Sequence, residues 1–439
     1  MQPKQHVERL PLTFQGELRV GWVLRLKAPA APAVAERLPV NLALVLDVSG
    51  SMAGEKLQRA QEAARWVARA LGPQDRISLV TFSADVRVAR EPGPPGAPEV
   101  LDALIDALQA GGGTNLSGGW AEGLAQVRRS LLARGTNRVV LITDGEANHG
   151  VVEPARLAAM CAAARQDAQA PVSTSTLGVG VEFNEDLLLG MALDGGGAFH
   201  YARSAEALGP ALQEEFSDLG QLVAQNVVLE LRLAPWVRRV EQLTTHPCDR
   251  EDPSQVITVR VGDIVADGWR KVGWNLIVDA SQASAELTAA GRASGELPLV
   301  SCNLRWFDLT GDQPALRELS LRAGLPLAGS APASEDPEGA LDLAVLRLVR
   351  ARRKAGRAAD RHDLARALEH LACAREEAER GPFASDPAVR QQLQQLQAFE
   401  LLLRSQPEDY GMHTESRKSE TFQLYSEGTA TVKPPRARG

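Results

Sequence analysis

Oxygen-bearing side chains stand at three places in the sequence where an apolar run or a glycine-rich loop meets the next element. The first place contributes Asp47, Ser49 and Ser51, and the other two contribute Thr114 and Asp144. Carboxylates and hydroxyls are the oxygen donors that a hard divalent cation prefers, and Mg²⁺ favours near-octahedral geometry at about 2.0–2.1 Å with some waters retained. If the three places meet in space, the pattern predicts a metal site made of two carboxylates and three hydroxyls.

The elements that must position these side chains follow from the hydrophobic pattern. Between about residues 40 and 222, short continuous apolar runs alternate with longer amphipathic segments, which is typical of buried parallel strands covered by helices. The apolar runs lie at 42–46, 77–82, 139–142 and 172–179. We therefore predict a doubly wound α/β domain. Open sheets of this kind place ligand sites at the carboxyl ends of their strands, where the five side chains would gather.

The ordered set Asp47-x-Ser49-x-Ser51, Thr114 and Asp144 resembles the metal-ion-dependent adhesion site of the von Willebrand factor type A domain, and the resemblance spans residues 40–222. All five positions of the family pattern match. The resemblance implies that Ser49, Ser51 and Thr114 bind the ion directly while the aspartates act largely through water. Because hydroxyls donate little charge, the ion would stay electrophilic and accept an Asp or Glu carboxylate from a partner protein. Mg²⁺ is the expected ion, with Mn²⁺ or Ca²⁺ as alternatives, and no bond is made or broken.

Two further expectations concern the surroundings of this site. The free N–H groups of the helix after Ser51 would favour a bound anion, and the family suggests that the last helix of the domain, at 204–223, shifts between weak and strong binding states. His149 and Trp120 are candidates for contacts at the rim of the site. A solvated loop histidine and a packed tryptophan are the favoured interpretations of these two residues.

The flanks of the α/β segment show a different periodicity. Apolar and polar residues alternate at 18–26, 228–233 and 257–261, which predicts antiparallel strands with one face in water. We expect the α/β domain to be inserted into this β-sandwich, so that its two ends lie close together. The predicted segments are N-terminal sandwich strands at 1–37, the α/β domain at 38–223, the β-sandwich at 224–325, a linker at 326–337, a helical bundle at 338–405 and a flexible tail at 406–439. This order is similar to that in bacterial relatives of the inter-alpha-inhibitor heavy chains and the calcium-activated chloride channel regulators.

Composition narrows the class of protein further. The 439 residues carry 48 basic and 55 acidic side chains, giving a formal charge of −7, so there is no basic excess with which to bind a nucleic-acid backbone. The four cysteines lie far apart and form no Cys-x-x-Cys pair, which favours a reducing compartment. The N-terminus lacks the apolar core of a signal peptide, and no run is long enough to cross a bilayer. We expect a cytoplasmic, bacterial protein that does not insert into membranes.

Two alternatives to a metal-dependent adaptor stay open on the sequence. The first is a scaffold that binds partners without metal, either through a phosphorylated tail or through a helix stripe made of Leu364, Ala367, Leu368 and Leu371. The stripe is more often the bundle's own core. The second is a Mg²⁺-dependent phosphotransfer enzyme with Asp47 as nucleophile. Such an enzyme would need a second carboxylate two residues after Asp47 or an equivalent lysine at the site, and position 49 is Ser. The sequence contains no P-loop, His-Glu-x-x-His or Gly-x-Ser-x-Gly motif, so we expect no enzymatic activity and no catalytic residues.

Overall fold

The computed structural model describes residues 1–8, 16–30, 38–145, 147–167, 169–180, 183–251, 256–289, 296–311, 314–326, 336–405 and 431–432. This part of the chain forms an α/β domain inserted into a pair of antiparallel sheets and followed by C-terminal helices, which confirms the predicted fold class. The expected linker at 326–337 and tail at 406–439 lie almost wholly outside the described residues.

The α/β domain follows two N-terminal strands, β1 (Gln2–Val7) and β2 (Glu17–Lys27). Its own strands are β3 (Val40–Asp47), β4 (Arg76–Phe82), β5 (Val86–Gly93), β6 (Thr136–Thr143), β7 (Ser173–Val179) and β8 (Gly196–Ala202). They form one sheet in the order β5-β4-β3-β6-β7-β8, in which β5 is antiparallel and all other pairs are parallel. Its helices are α1 (Glu55–Ala70), α2 (Pro98–Asp106), α3 (Leu116–Arg129), α4 (Pro154–Gln166), α5 (Glu185–Gly195) and α6 (Leu208–Leu219).

Strand β3 is the centre of this sheet, and every one of its residues is buried. Leu42 and Leu44 pack in one apolar cluster with α1, α2 and α6, whereas Ala43 and Val45 pack in another with α3, α4 and α5. Burial on both faces explains why the strand is a continuous apolar run in the sequence.

Two helix boundaries differ from the sequence-based expectation. The last helix of the domain covers Leu208–Leu219 rather than 204–223, because a short 3₁₀ turn precedes it and Leu222 already belongs to the next strand. Helix α1 begins at Glu55 rather than directly after Ser51. Ser51 lies in a separate 3₁₀ turn, and Gly54 between the two has a positive φ of 80° that only glycine adopts readily.

The β-sandwich consists of two antiparallel sheets. The remaining elements are β9 (Leu222–Leu233), β10 (Val237–Gln242), β11 (Cys248–Glu251), β12 (Val256–Val265), β13 (Trp269–Asp279), α7 (Ala280–Ala289), β14 (Glu296–Asp308), β15 (Ala315–Pro326) and the two-residue β16 (Thr431–Val432). One sheet has the order β1-β2-β13-β10, with β16 also paired to β13, and the other has the order β11-β12-β9-β14-β15. The N-terminal strand β2 thus joins the later strands, and Trp22 stacks on Trp274 of β13 with ring centroids 4.4 Å apart.

The turn between β12 and β13 contacts the chain on both sides of the inserted domain. In this turn, Asp267 N donates to Pro29 O at 3.0 Å and Ala266 N donates to Gln221 O at 2.8 Å. Pro29, which precedes the α/β domain, and Gln221, which ends it, therefore both hydrogen-bond to the same turn.

A buried ion cluster connects the α/β domain to the sandwich. Arg138 of β6 donates Nη1 to Glu215 Oε1 of α6 at 3.0 Å and Nη2 to Asp263 Oδ2 of β12 at 2.6 Å. His200 Nε2 lies 3.0 Å from Glu215 Oε2, and all four side chains are at most 9% exposed. The cluster thus ties the last helix of the domain both to the central sheet and to the sandwich.

The C-terminal helices are α8 (Pro337–Ala359), α9 (Leu364–Arg380) and α10 (Pro387–Ser405). The stripe on α9 packs inside this bundle: Ala367 and Leu371 are fully buried, and Leu364 and Leu368 contact the same apolar cluster. The stripe is thus the bundle's own core and is not open to a partner. Across the residues that the structure describes, no helix combines the length and apolar character needed to span a bilayer.

Candidate metal centre

The first loop of the site is built by the end of β3. Asp47 is the last residue of this strand and has no solvent exposure. Its Oδ1 accepts the backbone N–H of Ser49 at 2.7 Å, which folds the chain back over the carboxylate and brings Ser49 and Ser51 to the same edge. The two serine Oγ atoms lie 3.1 Å apart.

Backbone hydrogen bonds hold the second loop against the first. Gly111 N donates to Val48 O at 2.8 Å, and Gly50 N donates to Gly112 O at 3.1 Å. Gly112 adopts a positive φ of 82°, so the glycine run permits a turn that brings Thr114 up to the first loop.

The third loop is attached to the second through the backbone of Thr114. Asn148 Oδ1 accepts Thr114 N–H at 2.8 Å, and the backbone N–H groups of Asn148 and His149 donate to Thr114 O at 3.1 and 3.2 Å. All three loops are therefore joined by hydrogen bonds that do not use the side-chain oxygens of the candidate ligands.

Distances to one position beside Gly145 show how closely the ligand oxygens converge. A Cβ atom built on Gly145 would lie 3.5 Å from Ser51 Oγ, 3.6 Å from Thr114 Oγ1 and 3.9 Å from Asp47 Oδ2. One oxygen from each of two loops and one from the strand end thus surround the same small space. Because Gly145 carries no side chain, this space is left to the oxygens.

Asp144, the fifth candidate ligand, closes the set. Its side chain has no solvent exposure, and Ser51 Oγ donates to its Oδ1 at 2.7 Å. Lys56 Nζ of α1 forms a salt bridge with its Oδ2. The structure therefore brings Asp47, Ser49, Ser51, Thr114 and Asp144 together at the carboxyl edge of the sheet.

The electrostatics of the site follow from two buried carboxylates. Burial raises the pKa of the Asp47 carboxyl, hydrogen bonds from Ser49 and Thr143 act in the opposite direction, and the neighbouring Asp144 charge raises it again. Such a pair of carboxylates is stabilised in ionised form by a nearby cation.

The donor set fits a hard divalent cation. Within the described ranges, no three His, Cys, Asp or Glu side chains gather closely enough to hold a metal by themselves. A cation at this edge must therefore use the hydroxyls of Ser49, Ser51 and Thr114, and hydroxyl and carboxylate oxygens suit Mg²⁺, Mn²⁺ or Ca²⁺ better than Zn²⁺.

Three residues that support the site were missed by the sequence reasoning. Thr143 donates its hydroxyl to Asp47 Oδ2, Asn148 fixes the backbone of Thr114, and Lys56 contacts Asp144. The sequence position of Lys56 could have pointed to a role in the site. It lies in the first turn of α1, where the helix dipole disfavours a cation, so helix stability does not explain its type.

The two rim candidates take different positions. Trp120 is 2% exposed and donates Nε1–H to Thr174 Oγ1 at 3.0 Å, so it is a packed tryptophan. His149 is exposed, and its ring covers Gly113, where a Cβ would lie 2.7 Å from Nε2. His149 is therefore next to Thr114 at the rim.

Comparison with known proteins agrees with this geometry. Residues 41–215 match the model of the von Willebrand factor type A domain. The chain is 30% identical over 226 residues to an uncharacterized protein of Escherichia coli, YfbK, covering 50% of this chain and 39% of that protein. It is 29% identical over 175 residues to the human inter-alpha-trypsin inhibitor heavy chain H3, covering 38% of this chain and 19% of that one. The chain thus spans well under half the length of either relative.

Among solved structures, a von Willebrand factor type A protein from Catenulispora acidiphila superposes with a TM-score of 0.64 at 17% identity. The match covers 98% of this chain and 97% of that one. The likeness therefore extends beyond the α/β domain to the flanking sheets and helices, as a likeness of fold.

Proposed function

The chain contains a von Willebrand factor type A domain, and from the geometry at the edge of its sheet we propose that it is a metal-dependent adaptor that captures an acidic side chain of a partner protein. Domains of this family are commonly metal-dependent protein-interaction modules. The five residues that would hold the ion are Asp47, Ser49, Ser51, Thr114 and Asp144. The adaptor makes and breaks no bond.

The convergence of three oxygens around the space beside Gly145 is the observation that carries this proposal. A bound Mg²⁺, or Mn²⁺ or Ca²⁺ in its place, supplies a Lewis-acidic position for an external carboxylate. The chain's own residues fix the geometry. The backbone bonds between the loops hold Thr114 and the two serines in place, and the hydrogen bonds to Asp47 orient its carboxylate.

Charge balance supports an acidic partner. Among the described residues, Asp144 pairs with Lys56 and Asp47 lies close enough to feel the charge of Asp144, so the formal charges of these three side chains sum to −1. A divalent cation would leave the site with one net positive charge, and a carboxylate from a partner would neutralise it. The exposed Ser51 and His149 lie on the side from which such a group would approach.

Filling the space without removing a ligand tests this proposal. Gly145→Ala places a methyl among the ligand oxygens, while its Cβ contacts of 3.5–3.9 Å are ordinary van der Waals distances that the fold tolerates. We expect the variant to fold normally but to lose at least about tenfold in Mg²⁺ affinity, since Mg²⁺ tolerates little distortion of its coordination. Isothermal calorimetry with MgCl₂ measures the loss, and pull-down from host lysate with Mg²⁺ or with a chelator tests partner capture.

Gly190→Ala is the matched control, because a Cβ there would also meet its nearest neighbour at 3.5 Å but lies on α5, in the body of the domain. It should bind Mg²⁺ and the partner as the wild type does. If the amount of captured partner is unchanged both by the chelator and by Gly145→Ala, the proposal is contradicted and a metal-independent scaffold is favoured.

A further inference from the structure

Lys56 of α1 contacts the candidate ligand Asp144 through a salt bridge. Its ammonium lies against Asp144 Oδ2, while Ser51 occupies Oδ1. Asp144 has no solvent exposure, and a buried carboxylate is strongly destabilising unless a cation or hydrogen bonds compensate it. Lys56 therefore supplies positive charge at the position where the divalent ion would otherwise supply it.

We propose that Lys56 is a built-in competitor of the metal, which neutralises Asp144 when the site holds no ion and sets the cation concentration at which the site fills. This inference rests on the proposed metal site and concerns its regulation. A positive charge next to the ligands repels an incoming cation, so the ion must displace the Lys56 ammonium from Asp144 in order to bind. Partner capture would then begin only above a threshold of free Mg²⁺.

The side chain has the freedom that a competitor needs. Lys56 is 29% exposed, so its ammonium lies between the buried carboxylate and water. Lysine carries its charge on a flexible four-carbon stem, and it can leave Asp144 without moving the backbone of α1. The end of the Lys56 side chain lies beside Gly180, just after β7, where a Cβ would be at ordinary van der Waals distances of 3.8 Å from Cε and 3.9 Å from Nζ, so Gly180 itself does not confine the ammonium.

Two measurements on Lys56→Gln test the proposal. Isothermal calorimetry should give a Mg²⁺ dissociation constant about tenfold or more lower than that of the wild type, because one repelling charge near the ion is removed at an effective dielectric constant of about 20. Thermal unfolding of the metal-free variant should occur at a lower temperature than that of the wild type, because Asp144 loses its counter-charge. The stabilisation on adding Mg²⁺ should be correspondingly larger.

Two control variants separate the role of Lys56 from a general loss of charge. Arg59→Gln removes the same charge one turn further along α1, where Arg59 pairs with the exposed Glu62, and should leave the Mg²⁺ affinity unchanged. Lys56→Arg keeps the charge and should bind Mg²⁺ with an affinity within a few fold of that of the wild type.

The outcomes distinguish this inference from the function on which it rests. If the wild type binds Mg²⁺ and Lys56→Gln binds it equally or more weakly, Lys56 orients Asp144 instead of competing, and the inference is wrong while the metal site stands. An unchanged unfolding temperature of the metal-free variant would equally overturn the counter-charge role. If no variant takes up any divalent ion, the proposed metal function itself fails.

Discussion

Asp47→Asn is expected to weaken divalent-cation binding severely while leaving the fold intact. The asparagine Oδ1 can still accept the Ser49 N–H, and its amide group can donate to the Thr143 hydroxyl, so both hydrogen bonds of the buried side chain have replacements. What disappears is the negative charge of one of the two carboxylates among the five candidate ligands, whose other three members are neutral hydroxyls. We expect the Mg²⁺ affinity to fall at least about 100-fold, which corresponds to about 2.7 kcal/mol.

Calorimetry with MgCl₂ measures this loss, and circular dichroism at the same concentrations verifies the fold. Asp75→Asn is a matched control. This aspartate is also buried in the domain and accepts the backbone N–H groups of Val40 and Gly72, but these bonds lie at the amino end of β3, away from the ligands. Retained Mg²⁺ binding by Asp47→Asn, at the wild-type affinity, would remove Asp47 from the ligand set.

The convergence of the five candidate ligands could be predicted from the sequence because the apolar runs and the expected parallel sheet place them at the same edge. The apolar runs identify strands buried on both faces, and parallel strands end at the same edge, so Asp47 and Asp144 could be placed at one edge once the runs of β3 and β6 were recognised. The adjacency of these two strands is known only from the structure. The position of Thr114 could not be predicted from strand ends, because Thr114 follows no strand. Its position became predictable through the resemblance of the whole ordered set to a known family.

The supporting contacts were not predictable in the same way. Asn148 acts through its bond to the backbone of Thr114, a contact that depends on the paths of two loops with no periodic pattern. The salt bridge of Lys56 to Asp144 joins residues 88 positions apart. The first-turn lysine conflicts with the local rule for helix termini, and such conflicts concentrate where function is the competing requirement. The hairpin partner β5 was missed because its half-exposed residues show no continuous apolar run.

Arg138→Met is expected to destabilise the protein by about 3–5 kcal/mol, because it leaves Glu215 and Asp263 buried without their shared cation. Chemical denaturation at neutral pH measures the change. Arg128→Met is the matched control: its pair with Asp167 has a similar length of 2.9 Å but is more than a third exposed, so we expect a loss of less than about 1 kcal/mol. An Arg138 variant as stable as this control would show that the cluster contributes no net stability.

The same cluster predicts how stability depends on pH. Burial opposes ionisation of Glu215, but Arg138, His200 and Ser175 together outweigh it and hold the pKa of this carboxyl at about 2, below its ordinary value of 4.5. A lowered acid pKa means that the stabilisation is present above pH 4.5 and is lost as the pH falls from 4.5 towards 2. In Arg138→Met the burial of Glu215 is no longer offset by that guanidinium, so this part of the acid sensitivity should shrink or reverse. Since Glu215 lies on α6, a shift of that helix that separates Glu215 from Arg138 should cost less free energy in the variant.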